Sequence, residues 1–352
     1  MKQILVIRRD NIGDLVCTTP LIRALRQHYP NARIDALVNS YNLPIVAHNP
    51  DLDNAYAYTK AKHRDRSLDS LPGVIWRRIR LMWQLRSTHY DLVILANGGC
   101  LSRPLRLARQ VAPTHIIGFY EPQTAGAERI DLPVTEPKPR VGHEVETIFG
   151  LLAPLGIVPP PGPLVLLPDP GERAKAHERL CRQAWFSERP TLAVHISARK
   201  PSQRWPAKHF AIALNTLAQR HDVQFMLFWS PGQEDNPLHP GDDNKAREII
   251  AALPADFPLL AWPTNHLDEL IGGLSVCSGM LCSDGGAMHI GAALGLPIAC
   301  FFGQSDVTTW RPWGVPHAIM QAPSLDVSDV SPDQACQTLE QLWPEIERKA
   351  TT

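Results

Sequence analysis

Short apolar runs alternate with helical segments along this chain in two series, and that alternation permits few folds. Before residue 158 the runs are Gln3–Arg8, Arg33–Val38, Ala55–Tyr58, Asp91–Ala96 and His115–Gly118. After residue 172 they are Thr191–His195, Val223–Phe228, Leu259–Ala261, Val276–Cys282 and Ile298–Phe302. Runs that are apolar throughout suit strands covered on both faces, and such strands spaced by helices form parallel sheets. Between the series, residues 158–172 hold six prolines and two glycines in fifteen positions, which suits a linker. The expectation is an α/β protein of two doubly wound domains, 1–160 and 161–330. A terminal segment, 331–352, carries a helix over Ala335–Lys349 that is expected to cross back to the first domain. The 352 residues are 44% hydrophobic, enough for two packed cores.

Two strand-to-helix turns concentrate the chemistry. In the second half an apolar strand runs into Ser283-Asp284-Gly285-Gly286, and a small-residue helix follows to about Gly295. Two glycines let backbone N–H groups approach a ligand closely, and the positive end of the helix favours an anion. Asp284 at the N-cap and His289 on the second turn could face that ligand. An ordinary capped helix in a βαβ unit explains the same turn. In the first half the strand Gln3–Arg8 leads into Arg9-Asp10-Asn11-Ile12-Gly13-Asp14 and a helix over Leu15–His28, with Pro20 in its first turns. Ligands of open α/β sheets bind beyond the carboxyl ends of the strands, so Asp14 stands where chemistry occurs. Its alternative role is to cap that helix. One glycine in place of three rules out a dinucleotide fingerprint.

Three groups of residues follow one another along the chain: Arg9…Ile12-Gly13-Asp14-Leu15-Val16…Thr19-Pro20, then Ser197…Gln203-Arg204-Trp205-Pro206, then Ser283-Asp284-Gly285-Gly286…His289 through Trp310…Pro312-Trp313-Gly314. In this order they resemble glycosyltransferase family 9, which contains the heptosyltransferases of lipopolysaccharide core assembly. The resemblance implies two Rossmann-like domains facing a cleft, the glycosyltransferase B architecture. It implies an inverting, metal-independent transfer of a sugar from a nucleotide-sugar donor, foremost heptose from ADP-heptose, to a lipid-linked saccharide. Asp14 would be the base that takes the acceptor's proton, with Asp10 in reserve. Ser197, Arg199, Lys200, Arg204, Glu234, Asp284, Gly285, Gly286 and His289 would hold the donor, the cations balancing charge on the departing diphosphate. Glu234 reads equally as a solvated loop acid. Trp310 and Trp313 could stack on a sugar or base, or close a loop over the core. One position departs from the family: a phosphate-contacting lysine is expected two residues before Trp205-Pro206, and Gln203 stands there. That departure keeps open another nucleotide-sugar, another acceptor, or a binding protein without catalysis. A two-lobed epimerase is a more distant alternative.

The rest of the sequence mainly excludes. Seven scattered cysteines form no Cys-x-x-Cys, and the histidines show no metal-ligand spacing, so neither disulfides, nor metal, nor another cofactor is expected. Asp51-Leu52-Asp53 reads as a turn. No apolar run reaches the roughly 18–20 residues of a membrane span, and the start lacks a signal-peptide pattern, so a cytoplasmic location is expected. The net charge is zero, which argues against nucleic acid as a partner, yet residues 1–166 hold 20 Lys/Arg against 14 Asp/Glu. The excess lies at Lys60, Lys62, Arg64, Arg66, Arg77, Arg78, Arg80 and Arg86. A helix over 74–86 would carry one stripe of Ile75, Ile79, Met82 and Arg86, with Trp76, Trp83 and the remaining arginines around it. Such a helix suits an anionic lipid or a phosphorylated substrate, so Arg77, Arg78 and Arg80 are expected to face the acceptor at the inner face of the cytoplasmic membrane, held peripherally. A solvated helix docked on its own domain is the alternative.

Overall fold

A computed structural model describes residues 1–58, 71–158, 160–235 and 240–351. The chain divides into two units, Met1–Leu167 and Pro168–Thr352. Lys60, Lys62, Arg64 and Arg66 of the basic stretch lie outside the described residues. The first unit holds a parallel sheet of β1 (Gln3–Ile7), β2 (Arg33–Asn39), β3 (Asn54–Tyr58), β4 (Leu92–Leu95), β5 (His115–Phe119) and β6 (Leu132–Val134). Its order is β3-β2-β1-β4-β5-β6. The second holds β7 (Thr191–His195), β8 (Gln224–Trp229), β9 (Leu259–Pro263), β10 (Gly279–Ser283), β11 (Ile298–Phe302) and β12 (His317–Gln321), in the order β12-β11-β10-β7-β8-β9.

Covering helices explain why the inner strands are apolar throughout. In β1, Ile4 and Val6 join a core with Leu21, Ile22 and Leu25 on one face, while Leu5 and Ile7 join Leu85, Val93 and Ala108 on the other. Each such side chain contributes about 1.5–3 kcal/mol on burial. The second sheet buries Leu192, Val194, Phe225, Leu227 and Phe301 in a core with Trp205 and Phe210. In both sheets the winding reverses beside the first strand, between β1 and β4 and between β7 and β10. Loops leaving the carboxyl ends at such a reversal part from one another and open a crevice for ligands.

Several boundaries differ from expectation. The helix expected over Leu15–His28 is two, Ile12–Val16 and Thr19–His28. Pro20, lacking an N–H, starts the second and cannot continue the first. Strand β10 starts at Gly279, because the Val276 and Cys277 N–H groups turn back to the Gly273 and Leu274 carbonyls at the end of the helix Leu267–Leu274. The expected helix 335–349 is divided into Pro332–Glu340 and Trp343–Ala350, with Pro344 opening the latter. Leu339, Trp343 and Ile346 lie in the second unit's core. A Cβ on Gly279 would come within 2.7 Å of the Ile346 side chain, so a larger residue there would force this helix to shift. The terminal segment, expected to return to the first domain, thus belongs to the second unit. The division falls at Leu167/Pro168 because Leu164, Val165 and Leu166 are buried in the first unit, where the Val165 N–H donates to Thr19 Oγ1 at 2.9 Å.

Candidate functional site

At the end of β1 the central group is a residue the sequence did not single out. Arg8 is 1% exposed, and its Nη2 donates to Asp14 Oδ1 at 2.8 Å and to Glu144 Oε1 at 2.9 Å. Its Nη1 donates to the Ala96 carbonyl, and its Nε lies 3.2 Å from Asp10 Oδ2. Burial alone would lower the guanidinium's pKa, but Asp14, Glu144 and Asp10 outweigh it and raise it. Burial pushes the Glu144 carboxyl up, against the pull of Arg8 and Arg140. Arg140 donates to Glu144 Oε2 at 2.9 Å and to Glu136 Oε1 at 2.6 Å, which extends the network outward.

Asp14 is not the cap of a long helix. Asn11 holds the N-cap position of Ile12–Val16, and Asp14, on its first turn, reaches back to accept from the Asn11 N–H through Oδ2 at 3.0 Å. Both carboxylate oxygens are therefore held, while the side chain keeps 14% exposure. Asp10 faces another way. Its Oδ2 accepts from Asn97 at 2.8 Å, and its carbonyl gathers Asn39, Tyr41 and Asn42. These contacts pin the loop at the β1–β4 reversal. The Asp51 and Asp53 side chains bind Arg23 and Arg26 and serve the turn, as expected.

The second unit builds its turn on the same plan. Gln203 is 5% exposed, and its Nε2 donates to Asp284 Oδ2 at 3.0 Å and to Ser305 Oγ at 3.2 Å. Ser283 Oγ donates to the Gln203 carbonyl at 2.7 Å, joining the loops after β7 and β10. Burial raises the Asp284 carboxyl's pKa, against Ser305, Lys200 and Gln203. Gly285, not Asp284, is the N-cap of the helix Gly286–Ala293, in extended backbone, and no side chain caps that end. A Cβ on Gly285 would meet nothing within 4 Å, so the backbone there is open to approach. His289 is buried, its ring edge-on to Trp310 at 6.0 Å, and both Trp310 and Trp313 are partly buried.

The expected donor cations part company. Arg199 and Lys200 are exposed. Arg204 instead binds buried Asp242 at 2.5 Å and lies 3.6 Å from Glu234. Ser197 Oγ accepts from the Ser230 N–H at 2.9 Å and so anchors the loop that carries Glu234. Beneath them Lys245 Nζ donates to the Ile196 carbonyl at 2.9 Å, and burial brings its pKa down to about 8. Asp242 and Lys245 were not read from the sequence. Their one signal is charge at the start of an amphipathic helix, which usually marks a solvated face.

In the basic helix Leu71–Ser87 the stripe of Ile75, Ile79, Met82 and Arg86 is not the packed face. Leu85 is buried, with Leu81 and Met82 packed beside it, whereas Ile75, Trp76, Ile79 and Trp83 are 53%, 68%, 55% and 73% exposed. Arg77 and Arg80 are exposed as well, but Arg78 turns inward over the Tyr58 ring at 4.8 Å, with Arg9 over the same ring at 3.9 Å. No described helix is long and apolar enough to cross a membrane, and the described residues hold no cluster of three or more metal-ligating side chains.

Comparison with known proteins bears on most of the chain. The model of glycosyltransferase family 9 (heptosyltransferase) matches residues 78–335. Lipopolysaccharide heptosyltransferase 3 of Escherichia coli K12 is 27% identical over 314 residues, covering 86% of this chain and 82% of the relative. Lipopolysaccharide heptosyltransferase 2 of the same strain is 26% identical over 317 residues, covering 86% and 83%. Among solved structures, the family 9 glycosyl transferase of Veillonella parvula superposes with a TM-score of 0.82 at 18% identity, covering 98% of this chain and 97% of that one. E. coli ADP-heptose lps heptosyltransferase II gives 0.76 at 21% identity, covering 98% and 99%. These likenesses support the two-sheet α/β fold of the glycosyltransferase B type. With the family model spanning well over half of its length, this chain belongs to glycosyltransferase family 9 and is a glycosyltransferase.

Proposed function

We propose that the protein transfers heptose from ADP-heptose to a saccharide of the lipopolysaccharide inner core, with inversion and without a metal. The observation that carries the reading is Asp14, held at the carboxyl end of β1 by two hydrogen bonds in a family 9 chain. The acceptor hydroxyl attacks the anomeric carbon, its proton passes to Asp14, and the bond to the diphosphate oxygen breaks. ADP leaves with the bonding pair. The open turn at Gly285-Gly286, with Asp284 and His289 beside it, supplies N–H groups for the donor, and the exposed Arg199 and Lys200 supply positive charge. Relatives named lipopolysaccharide heptosyltransferases, and a solved structure titled E. coli heptosyltransferase WaaC with ADP, support heptose and ADP.

The exposed face of Leu71–Ser87 supports a peripheral place at the inner face of the cytoplasmic membrane. Two tryptophans and two isoleucines stand beside Arg77 and Arg80, and the helix has no acidic residue. That combination fits an anionic lipid surface carrying the acceptor. Gln203 favours a second reading, a donor other than ADP-heptose, because its amide is spent on Asp284 and Ser305 where the family resemblance implied a phosphate-binding lysine.

The test is a panel of nucleotide-sugars scored by thermal shift, followed by transfer of the stabilising sugar to core saccharides. ADP-heptose should stabilise most and be consumed with inverted anomeric configuration. A stronger shift with another nucleotide-sugar would give the second reading, and retained configuration would remove the single displacement.

A further inference from the structure

Asp14 belongs to a buried network of charges around Arg8. A base that must take up a proton while bound to a buried guanidinium faces a difficulty. On protonation its charge vanishes, and a buried cation left without a counter-charge is costly. Arg8 avoids that state, because the nitrogen that donates to Asp14 also donates to Glu144 at 2.9 Å, and Asp10 lies on its other edge. Glu144 is itself 1% exposed and held from outside by Arg140, which is partly exposed. Two guanidiniums and four carboxylates (Asp10, Asp14, Glu144, Glu136) thus form one chain of ion pairs from the interior to the surface. The other groups near Asp14 leave this balance alone. The Tyr41 hydroxyl donates to the Asp10 carbonyl, and burial raises the Cys17 thiol's pKa so far that it stays protonated.

We infer that Arg8 and Glu144 are positioning residues for the transfer: Arg8 fixes the Asp14 carboxylate, and Glu144 balances Arg8 so that Asp14 can gain and release a proton. The inference rests on Asp14 being the base. Without Glu144, Asp14 would become the main counter-ion of Arg8 and would give up its charge less readily. Asp14 would then be a weaker base. Removing Arg140 has the opposite sign, since it leaves Glu144 less neutralised and the cluster more negative.

The experiment is the pH dependence of kcat and of kcat/KM for transfer in four proteins: the parent, Glu144→Gln, Arg140→Gln and Asp14→Asn, each checked for folding by circular dichroism. Glu144→Gln should move the acidic limb about one pH unit down, the low end for loss of one close charge, and lower the plateau kcat while the donor KM stays put. Arg140→Gln, a change at a partly exposed site, should move the limb up by less. An acidic limb in folded Glu144→Gln that stays in place or moves up overturns the inference. If that variant does not fold, Arg140→Gln decides alone, and an unmoved limb is then the refuting result. Asp14→Asn separates the two levels. Near-normal turnover there would remove the base assignment itself, whereas loss of turnover with unmoved limbs elsewhere would remove only the role of Arg8 and Glu144.

Discussion

Gly285→Val should separate ligand binding from folding in the second unit. Gly285 is extended, with φ 161° and ψ −173°, so a valine can adopt its backbone. A Cβ there meets nothing within 4 Å. Less freedom in the unfolded chain contributes about 0.4–1 kcal/mol of stability. Loss of a good N-cap residue costs a similar amount, about 1 kcal/mol. The net stays within about 1 kcal/mol, or roughly 2–4 °C in Tm for a unit of this size. Binding should respond differently. A ligand oxygen accepting from the first N–H groups of Gly286–Ala293 would sit about 3 Å from backbone nitrogen, in the space the valine methyls would fill. Losing two such charge-assisted bonds at about 1.5 kcal/mol each gives at least 3 kcal/mol, about two orders of magnitude in Kd. Calorimetric titration of the folded variant with ADP and with ADP-heptose measures this. A Kd within threefold of the parent's, with Tm preserved, would refute the claim that this turn receives the donor.

Other expectations follow from single contacts. Asp14→Asn keeps the size and one acceptor oxygen, so it should cost about 10²–10⁴ in kcat with little loss of donor affinity, measured in the transfer assay. Replacing Trp76 and Trp83 by serine should weaken sedimentation with anionic vesicles and leave Tm unchanged, because both side chains are exposed; unchanged sedimentation would remove the lipid-facing role. Neutralising Arg77 and Arg80 should weaken the same binding most at low salt, whereas Arg78, packed on Tyr58, should matter less. Burial, assisted by Lys245, brings the His195 pKa down to about 4. The unfolded chain therefore takes up that proton first, so stability is complete above about pH 6.5 and is lost as pH falls toward 4. The loss reaches about 3 kcal/mol at most, and urea melts of His195→Gln across that range should show a shallower decline.

Ten of the strands were legible, most of them because residues buried on both faces write a continuous apolar run, and the helices between them repeat on a longer period. The edge strands β6 and β12 were not. The first contains Pro133, and the second, His317-Ala318-Ile319-Met320-Gln321, is buried chiefly at Met320, so neither writes such a run. The helix Leu71–Ser87 was legible as a helix but not in its orientation. Its apolar residues surround the axis, and only packing through Leu81 and Leu85 shows that Ile75, Trp76, Ile79 and Trp83 are left outside.

The sequence by itself determined the class of fold, the two strand-to-helix turns and the family. Those features are local, and a strand followed by a glycine turn and a helix is written in consecutive residues. The tertiary structure alone decided which side chains share a charge. Arg8 meets Glu144 across 136 positions, and Gln203 meets Asp284 across 81. Strand order brings these loops together, and nothing in the spacing of residues encodes it. An arginine at the end of a strand and a glutamate at the start of a short helix are ordinary in isolation. Removed from water and placed 2.9 Å apart, each acquires a fixed partner, and the charge balance around Asp14 follows from that pairing.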